Sequence, residues 1–201
     1  MDVRPLPMTA IDLSADIGLV AVGLATINLL IGSLIAMRYS PWRYWPHHRF
    51  NIFAIHNWTG YGLLGACVLH PVVLLASARE RFRVSDILYP VHSPVQPLEN
   101  TIGAVALYCV IVVVITSYFR LSLGRHLWKS FHFVIYAAAV AIFWHSIFTN
   151  PNLEKAPVDI FDGEKVFIEL CLLAVAGLVT MRWRYGVRKR RLKEAPKLLS
   201  S

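Results

Sequence analysis

The stretch FAIHNWTGYGLLGACVLHPVVLL, Phe53 to Leu75, contains no Asp, Glu, Lys or Arg, yet it holds an imidazole near each end, His56 and His70. A helix of about 20 apolar residues crosses the hydrocarbon core of a bilayer, so the stretch reads as a membrane span. An ionisable ring inside such a span calls for a partner or a function. A second stretch, KSFHFVIYAAAVAIFWHS from Lys129 to Ser146, repeats the design with His132 and His145.

Composition points the same way. Hydrophobic residues make up 56% of the 201 residues, charged ones only 16%, and the mean hydropathy is +0.52. Such a chain belongs in a membrane rather than in water. Apolar stretches fall at Ile17 to Met37, Ile52 to Ala78, Ile102 to Phe119, Leu127 to Phe148 and Val166 to Trp183. Breakers separate them, with Pro41 and Pro46 in the first connection and Pro90, Pro94 and Pro97 in the second. The expected fold is an all-α integral membrane protein, a bundle of about five transmembrane helices. Residues 1–16 form an N-terminal segment outside the membrane, 17–183 the transmembrane helical domain, and 184–201 a basic tail. The start, MDVRPLPMTAIDLSAD, lacks the basic and apolar regions of a cleavable signal, so the first helix is expected to stay.

Charge sets the expected orientation. Arg38, Arg43 and Arg49, then Arg120, Arg125 and Lys129, then eight residues from Arg182 to Lys197 put fourteen of the 20 Lys and Arg on one side. Arg4, Arg79, Arg81, Arg83, Lys155 and Lys165 lie on the other. The positive-inside rule then places the N-terminus outside and the C-terminus in the cytoplasm. Basic residues directly after a span serve topology and anionic lipid, so nucleic acid is not an expected partner. Cys67, Cys109 and Cys171 all fall within spans without a CxxC pair, which suits packing rather than zinc or covalent haem attachment.

The four span histidines form a pattern. His56 and His70 are fourteen residues apart and His132 and His145 thirteen, about 21 and 20 Å of helical rise. The two spans run the same way, so His56 meets His132 at an inner level and His70 meets His145 at an outer level. Two imidazoles facing across a gap suit six-coordinate b-type haem iron, with the porphyrin edge-on between helices. Fourteen residues return to within about 40° of one helix face, whereas thirteen leave about 140°, so the fourth span must overwind, bend or vary its rotamers. Gly60, Ala66 and Ala141, one turn inward of His56, His70 and His145, offer room for a macrocycle, whereas Tyr136 holds that place beside His132 with Ala139 a further turn along; small residues also favour close helix packing. Trp58, Trp128, Phe131 and Trp144 neighbour the ligands in sequence and are candidates to wall the pockets. His47, His48, His92 and His126 read as loop residues.

The two histidine pairs, together with GRHLWKSFHF before the second, resemble the ferric reductase-like transmembrane domain shared by ferric reductases, NADPH oxidases and the haem membrane subunit of periplasmic methionine sulfoxide reductase. The resemblance covers about Ile17 to Phe148. It implies two stacked b haems, the inner on His56 and His132 and the outer on His70 and His145. It also implies electron transfer between a cytosolic donor and an acceptor outside: ferric ion, oxygen or a partner reductase. Arg49, Arg125 and Lys129 would face inner propionates, and Arg79, Arg81 or Arg83 outer ones. Ferric reductases and NADPH oxidases carry a flavin and NADPH domain and often a sixth span. These 201 residues hold neither, and no GxGxxG. Electrons are therefore expected from a separate cytosolic flavoprotein, bringing FMN or FAD, or from quinol, in a bacterial inner membrane. That makes the chain an oxidoreductase component among membrane lipids, with an extracytoplasmic reductase as a further partner. The competing readings are haem or metal transport without a redox role, and a haem-free packing subunit.

Overall fold

A computed structural model describes residues 9–37, 51–78, 81–150 and 161–198, with side chains described as far as residue 191. Arg4, Arg38, Pro41, Arg43, Pro46, His47, His48, Arg49, Arg79 and Lys155 lie outside the described residues. Helices α1 (Ala10–Ala36), α2 (Ile52–Val73), α3 (Val84–Leu88), α4 (Pro97–Tyr118), α5 (Arg120–His132), α6 (Val134–Phe148) and α7 (Gly163–Leu198) follow in order, with no strand among the described residues. Five candidate spans result: Ala10–Ala36, Ile52–Ala76, Pro97–Tyr118, Arg120–Phe148 and Gly163–Arg191. The protein is an all-α integral membrane protein.

Each span begins or bends where local chemistry dictates. α1 starts seven residues before Ile17 because Thr9 and Asp12 form a capping box, Asp12 N donating to Thr9 Oγ1 (3.2 Å) and Thr9 N to Asp12 Oδ2 (2.9 Å). Asn51 caps α2 by accepting from Phe53 N and Ala54 N. α4 begins at Pro97, five residues ahead of the expected Ile102, since proline in the first helical turn has no N–H to waste. A breaker in the sequence is here a helix start. α7 runs on through the basic stretch to Leu198, so Arg184, Arg188 and their neighbours are carried on the same helix as the span.

The fourth span is broken twice. Gly124 adopts φ 73°, ψ 162° inside α5, a backbone region open essentially to glycine alone. A second break separates α5 from α6 at Phe133, where Tyr136 N reaches back only three residues to Phe133 O (3.1 Å). Of the three ways to accommodate a thirteen-residue spacing, local overwinding is the one the backbone shows: Phe133 keeps right-handed helical angles (φ -70°, ψ -16°) and the bond behind it spans three residues, one residue beyond His132.

Packing puts α1 against α2 and α7, and α4 against α6, with α2 and α4 also in contact. The core consists of Ala21, Val22 and Ala25 from α1, Leu63 from α2, Ala106 and Val110 from α4, Ala138, Ile142 and Phe143 from α6, and Ile168 from α7. All but Ile168 fall in sequence between the two histidine levels. The core is thus a septum across the middle of the bundle. Cys67, Cys109 and Cys171 pack against it as free thiols, in the packing role their positions suggested. Outward faces are apolar as well: Val20, Leu69, Val112, Val140 and Leu173, one from each span, are exposed. A helix apolar on all sides is solvated by lipid.

Gly124 meets nothing within 4 Å that an added methyl would strike. Its replacement by alanine is therefore a pure test of backbone strain. Gly124→Ala should cost about 1–3 kcal/mol in a detergent unfolding titration. Gly177→Ala, in the interior of α7 and equally free of neighbours, should be neutral or stabilising by about 1 kcal/mol.

Candidate functional site: two facing histidine pairs

The bundle brings the four span histidines together as two pairs. The rings of His56 and His132 have centroids 6.2 Å apart with planes crossed at 70°. Those of His70 and His145 are 6.0 Å apart, crossed at 75°. No direct hydrogen bond joins the rings of either pair. Trp128 lies against His132 at 5.2 Å, as a pocket wall would, whereas Trp58 is 73% exposed and points outward. His92 and His126 are not part of either pair.

The outer pair is held from behind by main chain. His70 Nδ1 donates to the Ser14 carbonyl (2.7 Å), and His145 Nδ1 to the Glu99 carbonyl (2.8 Å). A carbonyl only accepts, so each Nδ1 carries the proton and each Nε2 keeps its lone pair. That is the tautomer a metal-ligating histidine needs, and the bond behind it raises ligand basicity. Ser14 Oγ also donates to the His70 carbonyl (2.8 Å), and Thr149 Oγ1 stands 3.2 Å from His145 Nδ1.

At the inner pair the support differs. His132 Nδ1 lies 3.3 Å from Ser117 Oγ, which also receives Trp128 Nε1 at 3.4 Å. Asn28 Nδ2 donates to the His56 carbonyl (2.6 Å) and to Thr59 Oγ1 (2.8 Å), much as Ser14 serves His70. His56 Nδ1 itself is buried without a hydrogen bond.

Glycines on the neighbouring helices give the rings their space. A Cβ on Gly18 would stand 3.2 Å from the His70 ring, one on Gly32 3.0 Å from His56, and one on Gly103 2.9 Å from His145. None of these was singled out in the sequence, because the contact is made between helices. The small residues on the histidine helices pack elsewhere: Ala66, Ala139 and Ala141 lie in or against the core, and Gly60 faces Asn28.

Charge at the two ends also differs from expectation. A cavity beside the outer pair is lined by His70, His145, Ser14, Gly103 and Lys165, while Arg81 and Arg83 are exposed and outside it. Lys165 is only 5% exposed, its ammonium donating to the Ser146 (2.7 Å) and Thr149 (2.6 Å) carbonyls at the end of α6. Sequence reading counted it only as a topology charge. On the inner side, Arg182 donates to the Tyr136 hydroxyl and lies over its ring, while Arg125 and Lys129 are exposed.

The sequence profile of the family described as ferric reductase-like transmembrane component matches residues 17–143, more than half of the chain. The chain belongs to this family. The match takes in His56, His70 and His132 and ends two residues before His145. No curated protein and no solved structure matches the chain. Membership of a ferric reductase-like membrane family points to a role in electron transfer within the membrane.

Asn28 ties α1 to α2 through two bonds that lipid cannot replace. Asn28→Leu, which keeps the branched shape without the donors, should lower stability by about 1 kcal/mol in an SDS unfolding titration.

Proposed function

We propose that this ferric reductase-like protein is a transmembrane electron-transfer subunit that holds two b-type haems, one between His56 and His132 and one between His70 and His145. The observation that carries the reading is the two facing pairs themselves, set about 20 Å apart along the bundle. Metal–nitrogen bonds of about 2 Å, with the radius of each ring added, bring the centroids of two opposed imidazoles to roughly 6 Å on one metal ion. Both pairs meet that spacing. Among the described residues no three His, Cys, Asp or Glu side chains cluster to hold a bare ion, so a macrocycle with its own four nitrogens suits a site offering two ligands. The pinned Nδ1 atoms of the outer pair and the cavity beside it support the same fit.

A haem bound in this way supplies a one-electron ferric/ferrous couple with no open coordination position. The chain's own part is to hold, orient and insulate. Ser14 and Glu99 carbonyls fix the outer ring orientations, and the apolar septum keeps water from the space between the levels. Lys165 at the outer end and Arg182 at the inner offer positive charge to propionates. The Lys and Arg distribution supports an N-terminus outside and a C-terminus in the cytoplasm. Donation then comes from a separate cytosolic flavoprotein or from quinol, and the acceptor lies outside, as a ferric ion, oxygen or a partner reductase. A bacterial inner membrane is the proposed setting.

Detergent-purified protein should show two b haems per chain by pyridine haemochrome and a dithionite-reduced minus oxidised spectrum. Absence of haem overturns the reading. His70→Ala and His132→Ala should each leave one haem. Lys165→Gln removes a buried positive charge beside the outer pair, so a redox titration should find the midpoint potential of that haem lowered and the other unchanged.

A further inference from the structure

Three short stretches of the chain share one pattern: Ser14-Ala-Asp-Ile-Gly18, Asn28-Leu-Leu-Ile-Gly32 and Glu99-Asn-Thr-Ile-Gly103. Each lies within or at the start of a span that carries no candidate ligand, α1 for the first two and α4 for the third. Each final glycine abuts a different one of the four histidines. In the first and third, the residue four positions before the glycine supplies the carbonyl that receives Nδ1.

The geometry of a helix explains why the two roles come four residues apart. A side chain leans toward the helix N-terminus and covers the turn before its own Cα. The carbonyl at position i already serves the N–H at i+4 but keeps a second lone pair. A side chain at i+4 covers that lone pair, and glycine there leaves it open to a donor from another helix. The His70 and His145 rings use this opening, at 2.7 and 2.8 Å, and lie where the missing Cβ would be, at 3.2 and 2.9 Å.

We propose that Gly18 and Gly103 are positioning residues that admit the His70 and His145 rings to the Ser14 and Glu99 carbonyls, and that Gly32 gives the His56 ring its place at the other level. This rests on the electron-transfer reading for what the rings hold, but not for how they are held. The Asn28 carbonyl stands to Gly32 as Ser14 does to Gly18, and the His56 ring lies against Gly32, with Nδ1 buried and without a hydrogen bond. His56 therefore lacks the carbonyl partner that His70 and His145 each have behind the ring.

The test compares Gly18→Ala, Gly103→Ala and Gly32→Ala with Gly23→Ala, a glycine of the same α1 whose Cβ would meet only Phe167 at an ordinary 3.6 Å. Haem count, low-spin EPR of the oxidised protein and ring-nitrogen NMR of the dithionite-reduced protein are the readouts, with His70→Ala and His132→Ala marking the signals of each level. Gly103→Ala should perturb the outer site most, to the point of losing that haem, so that the count falls from two to one. Gly18→Ala should shift the outer EPR signal and weaken the downfield Nδ1–H resonance of His70. Gly32→Ala should act on the inner site alone, and Gly23→Ala on neither. Unchanged spectra and ring-nitrogen shifts in Gly18→Ala and Gly103→Ala overturn the proposal, as does loss of both haems together, which marks a general folding role. If the wild-type chain binds no haem, the electron-transfer reading fails by itself. The NMR shifts of His70 and His145 then decide the positioning alone.

Discussion

A shared fourteen-residue period between antiparallel helices governs the rest of the structure. Fourteen residues bring a helix back to nearly the same face. α2 therefore presents His56 and His70 to one side, and α1 meets them with Asn28 and Gly32 at one level and Ser14 and Gly18 at the other. Each polar side chain of α1 donates to the backbone carbonyl of the histidine opposite, and each glycine accommodates its ring. Moving either helix by one residue would set side chains against imidazoles and orphan both donors. In a lipid environment an orphaned donor has no water to fall back on, so the register is held by the cost of leaving it.

The other half of the site lacks this symmetry. α4 repeats the period with Gly103 and Ser117, but the histidines opposite are thirteen residues apart and lie on two helices joined at Phe133. The tightened turn at Phe133 changes the angle at which His132 leaves the helix relative to His145. Without it, the two rings would face opposite sides of one helix. It also gives the inner pair a different support, a serine hydroxyl and Trp128 in place of a bare carbonyl.

Most of the architecture was legible in the sequence because the bilayer imposes a compositional rule on every span. The expected pairing of His56 with His132 and of His70 with His145 followed from spacing and helix direction, and the rings do face one another. Helix ends were less legible. Pro97 reads as a breaker until its place in the first turn is known, and the reach of α1 depends on a cap at Thr9 that hydropathy does not register. The supports of the rings were hidden for a different reason. Gly18, Gly32, Gly103 and Lys165 matter for what they meet across an interface, and nothing in their own helices marks those contacts in advance. The repeated Ile-Gly endings were visible, but their meaning depends on the partner helix.

The apolar septum has an electrical consequence. Its members are Ala, Val, Leu, Ile and Phe side chains, and the nearby Thr26 hydroxyl is spent on the Val22 carbonyl of its own helix (2.8 Å). Such a layer offers no relay by which a proton could follow an electron from one histidine level to the other. Any electron crossing it therefore moves uncompensated charge through about 20 Å of a hydrocarbon core about 30 Å thick. At about 2.3 kcal/mol per 100 mV for the full thickness, that displacement couples to roughly two thirds of the membrane potential. On the proposed reading, electron passage is electrogenic, and the voltage across the membrane would enter its driving force alongside those of donor and acceptor.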